Sequence, residues 1–543
     1  MAPRRPITRK HTVGHDFPSV HRTCLGSPAV LEKTRPRARR HRFRLVVFVI
    51  GLGVRQLRDD PARALRLGVR LTRRFMPGPA RRRLAALAVP RPRDPRREVA
   101  DLRALLRLRR DHAVVDHTGV DHTGVDQAAA GAARPRDAVE VPVVEGRVLQ
   151  LVTNALPRTN AGYTVRTHKI ALAQRELGLD PHVVSRLGHP AAQGVADARS
   201  YVEVDGVPYH RLLPWLPPRD LAAAVRAGAD HAGRLVERLR PAVLHPVSNH
   251  LNAAVALELR ERYGLPVVYE VRGFLEDSWL SRDPAHSEQD DFYRLTRELE
   301  TRCIQEADRV VTLGEAMRDE IAGRGVDPEK IVVVPNAVDD TFLEPLPDGT
   351  ALRASLGIAP DAMVTGLTSS FYGYEGIDTL IDAAGLLRDR GTPITLLLVG
   401  DGPERAALER RATEQRVHAV FTGRVPMSSV RQFHAVLDLF AVPRRADRVC
   451  QLVTPLKPVE AMAGGVPVIA SDVKALREIV EPGVTGTLTL PEDPEAWAQL
   501  LTDLIYSPEQ RRKIGEAAQD WVRARRTWRA VATGYLKAYR DVG

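Results

Sequence analysis

The stretch Val453–Ser471, VTPLKPVEAMAGGVPVIAS, carries the most informative pattern in the chain. It follows the apolar run DLFAVPR at 438–444, which is typical of a buried strand. Proline and helix-forming residues then predict the start of a helix, where backbone N–H groups lack helical partners and attract anions. We therefore predict a diphosphate-binding turn formed by Pro455, Leu456 and Lys457.

Two side chains of this predicted helix add specific chemistry. Lys457 brings a positive charge to the helix start. Glu460 follows nearly one turn later, where its carboxylate is placed to accept two hydrogen bonds from a ribose diol. The alternative interpretation is an ordinary strand-to-helix turn with a structural glutamate.

Short apolar runs alternate with helical patterns from Gly146 onward. Runs that are apolar throughout are typical of parallel strands covered by helices on both faces. A break at Pro345–Thr350 divides this part of the chain into two halves of comparable size. We predict an α/β fold in which two doubly wound, Rossmann-like domains face each other across a cleft. Ligands of such sheets bind beyond the carboxyl ends of the strands, so the cleft is the expected site.

Composition excludes several other classes of protein. The chain has 543 residues, more than one hydrophobic core usually organises, with 44% hydrophobic and 27% charged residues. The three cysteines are far apart and form no CxxC pair, which argues against a disulfide framework or a structural zinc site and favours a reducing compartment. The apolar run at 45–54 is too short to span a bilayer.

Positive charge is concentrated at the N-terminus. Residues 1–100 contain 26 Lys and Arg against 6 Asp and Glu, whereas the whole chain has a formal net charge of +13, so the remainder is acidic. We predict a basic helical or disordered N-terminal extension. The predicted segments are a disordered basic tail at 1–42, basic amphipathic helices at 43–110, a linker at 111–145, an N-terminal domain at 146–340, a C-terminal domain at 341–515, and helices at 516–543 that pack back on the N-terminal domain.

The quoted stretch resembles the donor-binding motif of the retaining glycosyltransferases of family 4, which have the GT-B fold. In that family two glutamates eight positions apart face the donor, and the second, which holds the ribose, matches Glu460. The first falls at Leu452, so this chain lacks it.

Further segments agree with the family in order across about residues 147–540. The loop NALPRTNAGYTV places Gly162 where the family brings backbone close to the donor phosphates. VVVPNAVD at 332–339 resembles the linker between the domains. The TGRV segment implies that Gly423, Arg424 and Val425 lie near the donor base.

Two positions depart from the family pattern. Ser370 and Glu375 replace an arginine and a lysine that neutralise the diphosphate, so Lys457, Arg444 or Arg445 is expected to compensate.

Arg272 replaces a histidine near the reacting sugar. It is a candidate for steadying a leaving phosphate, and the alternative is a salt bridge with Glu276 or Asp277. His245, at the end of a predicted strand, is a second candidate for the cleft. The predicted catalytic residues are thus Arg272, His245 and Lys457.

The resemblance implies transfer of a sugar from a UDP- or GDP-sugar to a glycan, lipid-linked or small-molecule acceptor, with retention of anomeric configuration. A GT-B sugar-nucleotide epimerase and a non-catalytic GT-B scaffold are the alternatives. We expect no cofactor and no metal, because the sequence contains no metal-binding motif. We expect a cytoplasmic protein, at the inner face of the membrane if the basic extension contacts anionic lipid. That extension is otherwise a solvated appendage, and we do not expect nucleic acid.

Overall fold

The computed structural model describes residues 95–115 and 138–542, apart from residues 196 and 198. The predicted tail at 1–42, the first part of the predicted basic helices and the tandem VDHTG repeat of the predicted linker lie outside the described residues.

Eight strands build the N-terminal domain. They are β1 Val144–Val152, β2 Asp180–Ser185, β3 Tyr201–Val204, β4 Val207–Arg211, β5 Pro241–Pro246, β6 Val268–Val271, β7 Arg309–Thr312 and β8 Ile331–Val333. One sheet has the order β3-β4-β2-β1-β5 and a second has the order β6-β7-β8. All pairs are parallel except β3 with β4. Parallel bridges from Leu244 to Val267 and from Val247 to Glu270 join the two sheets.

The helices of this half alternate with its strands. They are α1 Pro95–Val115, α2 Gly162–Glu176, α3 Leu221–Leu239, α4 His250–Tyr263, α5 Leu275–Leu280, α6 Asp291–Glu306 and α7 Glu315–Gly323. Several begin at a side chain that caps free backbone N–H groups. Asp220 accepts from the N–H of Ala223 at the start of α3, and Asn249 accepts from that of Leu251 at the start of α4.

The C-terminal domain is a single parallel sheet. Its strands are β9 Val364–Ser370, β10 Thr395–Asp401, β11 His418–Gly423, β12 Leu439–Val442, β13 Val468–Ser471 and β14 Thr487–Thr489. Their order is β11-β10-β9-β12-β13-β14, so the order reverses between β9 and β12. In sheets of this kind the reversal point is the place where a crevice for ligands opens.

Eleven further helices follow β8 in the described chain. They are α8 Asp340–Leu343, α9 Thr350–Ser355, α10 Ile377–Asp389, α11 Arg405–Glu414, α12 Val430–His434, α13 Arg448–Leu452, α14 Lys457–Ala463, α15 Lys474–Arg477, α16 Pro494–Ile505, α17 Pro508–Arg525 and α18 Trp528–Arg540. The predicted α/β fold with two doubly wound domains is confirmed.

Helix α1 differs from the sequence-based expectation. It crosses the predicted boundary between residues 110 and 111 and packs against α3 and α6. Leu102, Leu105 and Leu106 are buried in the core of the N-terminal domain, because their spacing places them on one helical face. The apolar face of this helix is therefore covered by protein and is not available to a membrane.

The last helix, α18, packs on α2, β7 and β8 of the N-terminal domain. Trp528, Val531 and Tyr535 enter a core cluster with Val148 of β1 and Val311 of β7. The chain thus returns to its first domain after completing the second. Among the described residues, no helix combines the length and the apolar character needed to span a bilayer.

Candidate functional site

The turns after β9 and β12 meet at the point where the strand order reverses. Gly376 makes this approach possible, since its φ of 63° lies in the left-handed region. A Cβ atom at Gly376 would lie 1.8 Å from the carbonyl oxygen of Pro443. The close approach places Glu375 beside Arg444, so the two residues that the sequence separates widely form one site.

Arg444 and Glu375 form a buried ion pair. Arg444 Nε lies 3.5 Å from Glu375 Oε2, and a terminal nitrogen of Arg444 donates to the carbonyl oxygen of Val453 at 2.9 Å. Burial opposes ionisation of Glu375, but the charges of Arg444 and Lys457 outweigh burial and lower the pKa of that carboxyl. Of the candidate cations, Arg444 therefore lies beside Glu375, whereas Arg445 is paired with Asp378.

Lys457 lies at the same place and faces the end of β9. Its Nζ donates to Ser369 Oγ at 2.9 Å. Burial lowers the pKa of Lys457 and Arg444 acts in the same direction, while Glu375 opposes both. Two cations thus share one carboxylate, which leaves a net positive charge at the carboxyl ends of β9 and β12.

Glu460, on α14, lies near Lys457 and is almost fully buried. Burial raises the pKa of Glu460 to about 7, although Lys457 acts in the opposite direction. Ionising a carboxyl in this buried position costs free energy, and hydrogen-bond donors that stabilise the ionised form reduce that cost.

The predicted diphosphate turn lies directly before α14. Leu456 is the N-cap of a helix that has only seven residues, and Lys457 is its first residue. Pro455 is buried and precedes the cap. Because the helix is short, the side chains of Lys457 and Arg444 supply the main positive charge here.

The two domains touch beside this turn. Asn336, in the linker between the domains, donates from Nδ2 to the carbonyl oxygen of Thr454 at 2.8 Å. A Cβ atom at Gly273 would lie 3.6 Å from a methyl carbon of Val453. The loop after β6, which carries Arg272, is therefore adjacent to the predicted diphosphate turn.

Three predicted donor residues lie at the end of β11. Gly423 is the last residue of the strand and has φ of 74°. Arg424 is 82% exposed and lies 3.8 Å from Asp401 at the end of β10, and Val425 is partly buried against the core. This group is at the same sheet edge as Lys457, with β10 and β9 between β11 and β12.

Gly162 is the first residue of α2, on the opposite side of the cleft. It is exposed, and a Cβ atom there would meet nothing within 4 Å. The backbone at this point faces open space.

Arg272 is held by three groups on the N-terminal domain. It pairs with Glu270 at 2.7 Å and donates to the carbonyl oxygen of Tyr163 at 3.0 Å and to Thr167 Oγ1 at 2.8 Å. The alternative of a salt bridge with Glu276 or Asp277 is wrong, because Arg324 and Arg448 occupy those carboxylates. Arg272 ties β6 to the loop of Gly162.

His245 lies in the interior and not in the cleft where we expected it. Its side chain is fully buried and contacts Tyr539 of α18 and Glu270, with Nε2 3.2 Å from a carboxylate oxygen. Burial lowers the pKa of His245. The strand end that carries it is covered by α18, which the sequence pattern did not reveal.

A buried polar network around Glu270 was missed at the sequence level. Arg166 of α2 pairs with Glu270 at 3.0 Å and donates to the carbonyl oxygens of Val334 and Pro335 in the linker. Tyr535 donates to Glu270 at 2.9 Å. The network joins the first loop helix, the linker and α18, and an isolated arginine in a helical pattern gives no signal of such partners.

Two family models match this chain, one on each domain. The model described as "Glycosyl transferase 4-like domain" matches residues 161–337, and the one described as "Glycosyl transferases group 1" matches residues 349–521. A D-inositol 3-phosphate glycosyltransferase of Rhodococcus erythropolis is 30% identical over 393 residues, covering 68% of this chain and 84% of the relative. The chain belongs to the group 1 glycosyl transferases. It is a glycosyltransferase enzyme.

Two other similar proteins bear on this glycosyl transferase. A GDP-mannose-dependent alpha-(1-6)-phosphatidylinositol monomannoside mannosyltransferase of Mycolicibacterium smegmatis is 32% identical over 233 residues, covering 42% of this chain and 61% of the relative. The sucrose-phosphate synthase of Thermosynechococcus elongatus has a TM-score of 0.60 at 20% identity, over 73% of this chain and 99% of that structure. This likeness shows the fold, and the predicted GT-B arrangement is confirmed.

Leu452 stands at the position where the resemblance predicts a first donor-facing glutamate. It is the last residue of α13, and its side chain is buried in the core cluster of the N-terminal domain. Arg448, at the other end of α13, pairs with Asp277 at 3.0 Å and contacts Glu320 at 2.6 Å. In this chain α13 docks the C-terminal domain onto the N-terminal one.

Proposed function

We propose that this glycosyl transferase moves a sugar from a UDP- or GDP-sugar to a hydroxyl of a glycan, lipid-linked or small-molecule acceptor, with retention at the anomeric carbon. The observation that carries the proposal is the grouping of Lys457, Arg444 and Glu460 at the reversal point of the C-terminal sheet. Two cations suit a diphosphate and a buried carboxylate suits a ribose diol.

Stabilising the leaving diphosphate is the largest contribution that such a site makes to the reaction. The bond between the anomeric carbon and the phosphate oxygen breaks, while the acceptor oxygen bonds to the same face of the sugar. The acceptor proton passes to an oxygen of the departing phosphate. Because the departing phosphate takes the proton, the step requires no side-chain base. Lys457 and Arg444 hold that phosphate, so we propose that it requires no metal ion.

Two relatives bear on the acceptor and on the donor. One is named for D-inositol 3-phosphate, and the other is named for a phosphatidylinositol monomannoside and is described as GDP-mannose-dependent. A polyol or glycolipid acceptor fits this pattern. We propose a cytoplasmic location, with membrane contact through the basic extension as a further hypothesis.

The donor class is tested by thermal unfolding of the full chain with UDP, GDP and ADP. The matching nucleotide is expected to stabilise the protein, and absence of stabilisation by all three would contradict the site. Incubation with the matching sugar nucleotide and acceptor, followed by NMR of the product, tests the reaction. An inverted anomeric centre excludes retention, and epimerised sugar nucleotide without transfer favours the epimerase.

A further inference from the structure

Four arginines gather at the carboxyl ends of the first strands of the N-terminal domain. Arg186 directly follows β2 and Arg211 is the last residue of β4, two strands paired in parallel so that their ends share one edge. Arg158 lies in the loop after β1, and Arg199 lies in the loop between β2 and β3. We call Arg158, Arg186, Arg199 and Arg211 the arginine cluster.

One buried carboxylate holds most of this cluster. Asp197 lies 2.7 Å from Arg158, 2.8 Å from Arg199 and 2.7 Å from Arg211. Burial opposes its ionisation, but Arg199 and Arg211 outweigh burial and keep the pKa of Asp197 well below its usual range. Three guanidinium groups on one carboxylate leave an excess of positive charge.

The neighbouring histidine does not reduce that excess. Burial, followed by the charges of Arg211 and Arg186, lowers the pKa of His189 to about 4. His189 is therefore neutral near pH 7 and contributes no charge to the cluster. A further nitrogen, Arg211 Nη2, is buried without a hydrogen-bond partner in the part of the chain that the structure describes.

Two members of the cluster are partly exposed. The side chains of Arg158 and Arg199 are 37% and 35% exposed, whereas Asp197, which both contact, is 4% exposed. The buried carboxylate thus holds guanidinium groups that reach the surface of the domain. Planar guanidinium groups arranged in this way match the oxygens of a phosphate better than a single ammonium does.

The cluster also adjoins the cleft. Arg158 precedes Gly162 by four residues in the loop after β1, and the neighbouring Thr159 Oγ1 lies 3.2 Å from His189 Nε2. Arg186 donates to Thr153 Oγ1, at the end of β1, at 2.8 Å. The positive charge is thus on the acceptor half, beside the loop that faces the proposed donor.

We propose that the arginine cluster binds a phosphate ester carried by the acceptor. The proposal rests on the proposed function, since it names the acceptor of that same cleft. The phosphate belongs either to a soluble polyol phosphate or to a phospholipid headgroup. The loop after Arg211 exposes the apolar side chain of Leu216 by 63%.

The test uses the full chain with saturating UDP and the double variant Arg158→Gln/Arg199→Gln. Arg211 remains in both proteins, so Asp197 keeps a partner and the fold is expected to survive, which thermal unfolding checks. The matched control is Arg512→Gln/Arg523→Gln on α17, where the same two charges are removed from exposed side chains.

Calorimetry with inositol 3-phosphate and with unphosphorylated inositol measures the soluble arm. Flotation with vesicles of phosphatidylcholine, with or without phosphatidylinositol, measures the lipid arm. We expect the wild type and the control to bind at least one phosphorylated probe, and the double variant to bind it at least about tenfold more weakly, a loss of about 1.4 kcal/mol. The probe that responds identifies the source.

The proposal is overturned if the wild type binds neither phosphorylated probe, if it binds inositol equally well, or if the double variant binds as the wild type does. The affinity for UDP distinguishes failure of the phosphate-binding proposal from failure of the proposed function. Lost phosphate binding with unchanged UDP binding supports the cluster. Phosphate binding without any nucleotide binding contradicts the donor site alone.

Discussion

Arg444 and Glu375 face each other across the reversal point of the C-terminal sheet, with Nε 3.5 Å from Oε2. In the family that the chain resembles, a cation stands at the position of Glu375. This chain has a carboxylate there, and Arg444 lies on the opposite turn. The pair is neutral as a whole, so the further positive charge at this point belongs to Lys457.

Replacing Glu375 with glutamine is expected to lower the stability of the nucleotide-free protein and to increase the stabilisation that a nucleotide gives. Removing one partner of a buried ion pair leaves an uncompensated charge, which costs about 3 kcal/mol of unfolding free energy. The diphosphate supplies the missing negative charge. The rise in melting temperature caused by UDP or GDP is therefore larger in Glu375→Gln than in the wild type.

Glu509→Gln is the matched control, because it removes the same charge from an exposed side chain on α17. Its stability and nucleotide response are expected to follow the wild type. An equal or smaller nucleotide shift in Glu375→Gln would show that Arg444 does not meet the diphosphate.

Lys457→Ala and Glu460→Ala are each expected to reduce transfer at least about tenfold, a loss of about 1.4 kcal/mol of transition-state stabilisation. Lys457 provides charge at the leaving group, and Glu460 provides acceptors for the ribose. Initial rates with the matching sugar nucleotide measure the effect. Lys513→Ala on the exposed face of α17 is the control, and near-native rates in both site variants would refute the assignment.

The contribution of Glu460 to the stability of the free protein is expected to fall as pH rises from about 5 to 7. Burial raises the pKa of Glu460 to about 7, so the folded state retains a proton that the unfolded chain releases near its ordinary value. Buried histidines such as His189, whose pKa is lowered to about 4, act in the opposite direction, so the wild type must be compared with a variant. Chemical denaturation is expected to show that the unfolding free energy of the wild type minus that of Glu460→Gln falls by about 2 kcal/mol over this interval. The same pH dependence in both proteins would contradict the assignment to Glu460.

Chelation of divalent metal is expected to leave transfer within about twofold of its initial rate. Lys457 and Arg444 supply the charge that a metal ion otherwise provides at a leaving phosphate. Rates with excess EDTA, and after re-addition of magnesium, measure this. A loss that magnesium restores would contradict the cation assignment.

The fold was predictable because short stretches of the sequence indicate its strands and the division between its domains. Continuous β-branched runs such as ITLLLVG indicate buried parallel strands, and the Pro345–Thr350 break marks the division between the halves. The partner of helix α1 was not predictable, since its leucines have the same spacing whether the partner is a membrane or the packed helices α3 and α6.

The site was predictable only in part, because its pairings are long-range. Lys457 and Glu460 lie within one motif, but their roles remain predictions. The partner of Arg166 is 104 residues away, and no local pattern links the two. Arg444 was one of three candidate cations, and its position beside Glu375 depends on the close approach of Gly376 to Pro443, which no local pattern indicates.

The return of α18 to the N-terminal domain has a consequence for how the protein is made. Tyr535 and Trp528 complete a core whose other members, such as Val148, leave the ribosome almost four hundred residues earlier. The core of the first domain therefore lacks these side chains beside Glu270 and His245 until α18 has been synthesised. A ribosome that stops before α18 releases a chain whose first domain cannot complete this core, so folding of the first domain depends on a segment made after the second domain.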